Sequence, residues 1–228
     1  MSLHFEQELG ELKQKLLAMA CQAASNVTGA VQSLTERNAE LAKQVEADDA
    51  ILDQFEKDID ELAVILLAKA PLASQLRLIT VAMKASHDLE RVGDEATTIA
   101  RRALELNAEE PCAIPANLPS MARRGLQMLE EAIDAFVHHD AAKARRLIPQ
   151  DKDIDALNKQ LQHDLAQQMA QQPSSIRRCL NLMTVAKSLE RIADHATNIA
   201  EEAVYLQEGA DIRHDPELKR AKQGPDGR

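Results

Sequence analysis

Residues 88–99 read DLERVGDEATTI and residues 188–199 read SLERIADHATNI, so one dozen is written twice, a hundred positions apart. Other segments repeat at nearly the same offset. Asp49-Ala-Ile-Leu-Asp53 answers Asp151-Lys-Asp-Ile-Asp155, AVQSL at 30–34 answers AIDAF at 132–136, and PLASQLRL at 71–78 answers PSSIRRCL at 173–180. Self-similarity at a fixed period means copies of one supersecondary unit. The chain therefore reads as two copies of a single unit in tandem.

The boundary follows from punctuation. Residues 107–120, NAEEPCAIPANLPS, hold three prolines and no apolar periodicity, which marks a linker. The first unit is assigned to residues 1–110, the second to 117–210, and 211–228 is a polar tail containing Pro216 and Pro225. Within the units, Pro71 and Pro173 interrupt the apolar pattern and are followed by Ser74 and by Ser174 or Ser175, residues suited to helix N-caps. Softer breaks fall at Arg37-Asn38 and His139-Asp140, so each unit divides into three helices.

The third helix of each unit has the clearest face. Ala82, Ala85, Leu89, Val92, Ala96, Ile99, Ala103 and Leu106 step by three and four, and Leu182, Val185, Leu189, Ile192, Ala196, Ile199, Ala203 and Leu206 do the same. The middle helix continues the theme with Leu52, Phe55, Ile59, Leu62 and Leu66. Such seams belong to bundle helices, and alanine within them allows close approach. Composition agrees: 45% apolar but 2% aromatic, with 7 Gly and 8 Pro. A core with so few rings must be aliphatic, and so few turn residues leave little room for strands. The expected fold is all-α, two tandem pseudo-symmetric three-helix bundles.

Charge and cysteine usage narrow the function. Acids outnumber bases 37 to 27, for a net charge of −10, and rings for base stacking are nearly absent, which argues against nucleic acid. Three widely spaced cysteines, Cys21, Cys112 and Cys179, form no CxxC and suit a reducing cytosol. The N-terminus lacks a signal-peptide pattern, and the longest apolar runs, such as LAVILLA at 62–68, are too short to cross a bilayer. The expectation is a cytoplasmic protein without membrane insertion.

Against this background the acids are patterned. With Leu89 on the seam, Glu90 and Asp94 fall one turn apart on a single outward stripe, roughly 40° apart around the helix. Glu190 and Asp194 repeat the arrangement. On the middle helices Asp49 and Asp53 lie opposite Leu52, with Glu56 and Asp60 continuing the stripe. Asp151 and Asp155 do likewise, followed by the neutral Asn158 and Gln162. Like charges at this spacing cost a few tenths of a kcal/mol each, and the second position of each pair, where a lysine would have been the neutral choice, is again an acid: Asp53, Asp94, Asp155 and Asp194. Two such helices side by side make a patch of four carboxylates. Oxygen-only patches suit hard cations such as magnesium, manganese or iron and, less selectively, zinc. Solvated acidic faces, or neutralisation by Arg91, Arg191 or a neighbouring arginine, would explain the same pattern. The second unit has extra candidates in His195, Asn198 and Glu201-Glu202, and its site reads as the stronger.

Enzyme motifs are missing. No P-loop, GxSxG or HExxH occurs, and no His has a Glu three residues before it, as a di-metal oxidase bundle requires.

LERVGDEATTIA and LERIADHATNIAE resemble the signature of the PhoU family of bacterial phosphate-transport regulators, and PLASQLRLI, DAILD and DKDID are similar to further family segments. The resemblance covers roughly residues 5–208. Gln75, Ala193 and Glu95 depart from the usual Asp, Gly, and His or small residue. The resemblance implies a non-enzymatic adaptor of two three-helix bundles that binds metal ions, in some members as multinuclear iron or zinc clusters. Carried over by motif, the ligands are Asp49, Asp53, Glu90 and Asp94 in the first unit and Asp151, Asp155, Glu190 and Asp194 in the second, with His195 as an additional candidate. It also implies negative regulation of the phosphate-starvation response, by linking a phosphate ABC transporter to its sensor histidine kinase at the inner membrane through protein contacts. A homodimer is compatible with this picture. The runner-up is an accessory of a different phosphate permease, and a metal-dependent phosphate-handling enzyme comes last.

Overall fold

In the computed structural model, residues 3–70, 72–111 and 113–212 are described. Among them there are helices and turns but no strand. Three long helices form the first repeat: α1 (Leu3–Thr35), α2 (Ala39–Leu67) and α3 (Ala73–Asn107). The second repeat contains α4 (Asn117–Val137), α5 (Ala141–Leu147), α6 (Asp151–Gln171) and α7 (Ile176–Glu208).

Seam residues decide the packing. All sixteen third-helix positions named from the sequence are buried, and Leu52, Ile59 and Leu66 of the middle helix are sealed beneath them, with Phe55 and Leu62 half-buried. Burying one large aliphatic side chain contributes about 1.5–3 kcal/mol, so these seams hold each bundle together. α3 packs on α1 and α2, α7 packs on α4, α5 and α6, and the two third helices also pack on each other. The Arg191–Glu95, His195–Asp88 and Lys84–Glu202 contacts run in opposite senses along α3 and α7, so the helices are antiparallel. That register brings Gly93 level with Ala193, its counterpart in the other repeat. The two repeats are thus joined side by side about an approximate twofold relation.

The corners repeat as well. Asn38 caps α2 by accepting from Leu41 N–H at 3.1 Å, and Asp140 caps α5 by accepting from Lys143 N–H at 2.8 Å. α7 ends at Gly209, whose φ of 70° no branched residue would hold without strain. No helix among the described residues is long and apolar enough to cross a membrane.

Three sequence expectations need correction. The middle helix of the second repeat is not continuous. Ile148–Gln150 form a 3₁₀ turn between α5 and α6, because Pro149 has no N–H to give to the helical ladder. Ser74 does not cap α3, which begins one residue earlier from Leu72 without any side-chain cap. Ser175 stands at the cap position of α7, but its hydroxyl donates to the Gln172 carbonyl instead. Pro71, Cys112 and the tail beyond Ile212 lie outside the described residues.

Candidate metal centre

In the first repeat the candidate acids line the junction of α2 and α3. Gly93 makes that junction possible: a Cβ there would stand 2.3 Å from Leu52 Cδ1 and 3.7 Å from Asp49 Oδ1. The backbone of α3 thus comes close enough for Asp49 to share a face with Glu90 and Asp94. The cost is electrostatic. Desolvation raises the Asp49 carboxyl above its ordinary range, and the charges of Asp94 and Asp53 raise it further. Glu90 is raised by desolvation and then by Asp94, with Glu56 adding to the effect. Asp60 is raised by desolvation and by Glu56.

The second repeat concentrates the effect on one residue. Asp194 is pushed up to about 6, chiefly by desolvation and then by the charges of Glu190 and Asp155, although the side chain keeps contact with solvent. Asp151 differs from the other seven acids. It is the first residue of α6 and is buried, whereas an outward stripe had been expected.

Cations neutralise these patches only in part. Arg91 donates to Asp94 at 2.9 Å and lies 3.4 Å from Glu90. Arg191 turns away from its own pair and donates to Glu95 across the repeat boundary at 3.0 Å. Lys187 donates to Glu190. The donor chemistry suits hard cations, and the carboxyls are raised by desolvation first and by neighbouring like charge second. The spacing is that of an open patch. Among the described residues, the eight acids supply no three ligand atoms that all lie within 4.8 Å of one another.

A tighter group does exist, and the sequence reading missed its centre. Glu56, His87 and Glu90 each offer a ligand atom, and these atoms all lie within 4.8 Å of one another. His87 Nδ1 is 3.1 Å from Glu56 Oε1. The spacing of His87 and Glu90 on one helix was the available signal, but Glu56 comes from another helix. His195 does not turn toward Glu190 and Asp194 through its Nδ1. That atom lies 2.8 Å from Asp88 Oδ1 in the first repeat, where Asn198 also donates at 3.1 Å.

Comparison with known proteins gives this geometry a family. The PhoU domain matches twice, over residues 16–103 and 118–203.

The chain belongs to the PhoU family.

A PhoU homolog of Pseudomonas aeruginosa, named as a phosphate-specific transport system accessory protein, is 41% identical over 217 residues, covering 93% of this chain and 89% of that one. The Escherichia coli K12 PhoU accessory protein is 33% identical, covering 92% and 88%. The crystal structure of PhoU from Pseudomonas aeruginosa superposes with a TM-score of 0.86 at 39% identity, covering 90% of this chain and all of that one. That of the phosphate transport system regulatory protein PhoU from Streptococcus pneumoniae gives 0.86 at 31% identity, over 91% and 98%. PhoU proteins are accessory and regulatory proteins rather than enzymes.

Proposed function

We propose that this chain is a metal-binding accessory regulator of phosphate uptake. In this reading it acts negatively on the phosphate-starvation response, docking on the cytoplasmic side between a phosphate ABC transporter and its sensor histidine kinase. The observation that carries the metal part is the set of raised carboxyls, Asp49 and Glu90 on two helices of the first repeat and Asp194 on the third helix of the second. Like charges held together at that cost are relieved by a bound cation. Asp49, Asp53, Glu90 and Asp94 would hold ions on one face and Asp155, Glu190 and Asp194 on the other, with Asp151 contributing from beneath. Iron, zinc, manganese and magnesium all fit oxygen donors, and an open patch accommodates more than one ion. The transport role is supported by the names of the relatives, which are those of phosphate transport accessory proteins.

The test is elemental analysis of protein purified without an affinity tag, alongside the Asp94→Asn/Asp194→Asn double variant. Stoichiometric metal in the parent and its loss in the variant are expected. Absence of metal from both would remove the metal reading. Co-purification of transporter and kinase components with the parent tests the adaptor role separately.

A further inference from the structure

The two repeats place different chemistry at equivalent points. By the repeat offset His87 corresponds to Lys187, Glu90 to Glu190, Glu56 to Asn158 and Asp60 to Gln162. In the first repeat Glu56 and His87 line a cleft of about 570 Å³ together with Asp60, Lys84, Asp88 and Glu202. The equivalent cleft in the second repeat, about 600 Å³, is lined instead by Asn158, Gln162, Lys187, Ser188 and Arg191 among others.

The second copy shows what its glutamate is built to meet. Lys187 lays its ammonium on Glu190, so a cation already stands beside that carboxylate. Around it, Gln162 donates to Asn158 Oδ1 at 3.2 Å and to the Met183 carbonyl at 3.1 Å, a neutral and self-satisfied lining. In the first copy the lysine is replaced by His87 and the asparagine by Glu56. Glu90 Oε2 is sealed from solvent and receives no hydrogen bond, with Arg91 Nε standing off at 3.4 Å. Beside this glutamate the first copy therefore has a carboxylate and an imidazole where the second has an amide and an ammonium.

We infer that Glu56, His87 and Glu90 form a mononuclear site for a first-row transition-metal dication, Zn²⁺ in preference to Mg²⁺, present in the first repeat alone. The inference rests on the metal-binding reading above and deepens it. Two carboxylates and one imidazole leave further coordination positions to water, and the cleft beside them has room for it. Imidazole is what sets the selectivity: it suits zinc, copper, nickel and iron, whereas magnesium holds to oxygen donors and dehydrates reluctantly. At the equivalent point of the second repeat the Lys187 ammonium takes the place of this one ion.

The full chain, stripped with a chelator, is titrated with Co²⁺ at neutral pH and followed by the visible d–d absorption of the nitrogen-ligated ion. Zn²⁺ and Mg²⁺ serve as competitors. Zn²⁺ should displace the bound Co²⁺ and Mg²⁺ should not. His87→Ala, a change at an exposed side chain, should abolish one equivalent of Co²⁺ or weaken it by about tenfold or more, with helicity unchanged. Asn158→Glu/Lys187→His should add a second equivalent of the same spectrum. An unchanged titration in His87→Ala, or displacement by equimolar Mg²⁺, would overturn the site. Metal that is lost in Asp94→Asn/Asp194→Asn but kept in His87→Ala sinks this inference and leaves the broader reading standing. Co²⁺ binding that depends on His87 while the double variant loses nothing does the reverse.

Discussion

Arg37 and His139 hold the same left-handed backbone, with φ of 54° and 55°, at equivalent corners of the two repeats. Both close the turn after the first helix of their unit, and both lie just before the capping residue of the next. A side chain in that conformation costs about 1–2 kcal/mol relative to glycine. His139→Gly should therefore stabilise the chain by up to about 1 kcal/mol. Arg37→Gly should not, because its guanidinium donates to the Asn107 and Glu109 carbonyls at 2.8 and 2.6 Å and ties down the end of α3. Urea unfolding of the two variants checks the contrast; equal gains would show that the arginine clamp contributes nothing.

Gly93 should resist replacement more than Ala193 does. A methyl group at Gly93 meets the sealed Leu52 side chain, and overpacking of that kind costs about 1–3 kcal/mol. Gly93→Ala should lower the melting temperature and spread α2 from α3. Leu52→Val in the same chain should recover part of the loss. Melting curves of the four members of that cycle decide it, and additive losses would rule out a direct clash.

Asp194 gives stability a pH dependence of known sign. Its folded-state pKa is raised, to about 6, so the folded protein holds a proton there that the unfolded chain has already lost between about pH 4 and 6. Its ionisation thus opposes folding as pH rises through 6, and this penalty is absent below the unfolded value. Asp194→Asn in the metal-free protein should raise stability at neutral pH, with the advantage vanishing as pH falls toward 4. Solvent contact keeps the gain within about 1 kcal/mol. A benefit equally large at both ends of that range would contradict the assignment.

The contacts joining the repeats should differ in weight. Lys84 donates to both oxygens of buried Glu202, at 3.0 and 3.1 Å, and sits 5.5 Å from the Tyr205 ring. Lys84→Met removes a cation from a buried carboxylate and should cost about 1–3 kcal/mol. Arg191→Ala breaks a pair whose guanidinium is exposed and should cost less than about 1 kcal/mol. Chemical denaturation of both, at low and high salt, separates them; only the arginine variant's loss should fade as salt rises.

Elements with short-range causes were legible in the sequence. The α3 and α7 seams were readable residue by residue because burial follows the helical period, and Arg37-Asn38 and His139-Asp140 were visible as corners because capping is local. What the sequence did not reveal depended on helices meeting. Glu56 reaches His87 across 31 positions, and His195 reaches Asp88 across 107, so neither partner could be read from spacing along one helix. Asp151 was placed on an outward stripe by periodicity alone. The Pro149 interruption instead makes Asp151 a helix-initiating residue. His195 points to the second repeat when read along the chain, while its Nδ1 lies 2.8 Å from Asp88 at the seam between the repeats.

The antiparallel pairing of α3 and α7 has a genetic consequence. It makes the molecule resemble a dimer whose two subunits were fused into one gene. A true homodimer must write every substitution on both sides of its axis, so a residue that improves one site is imposed on the other. A fused pair escapes that constraint. Position 87 is histidine while position 187 is lysine, and the two halves present unlike faces on one common scaffold, each free to answer a different signal.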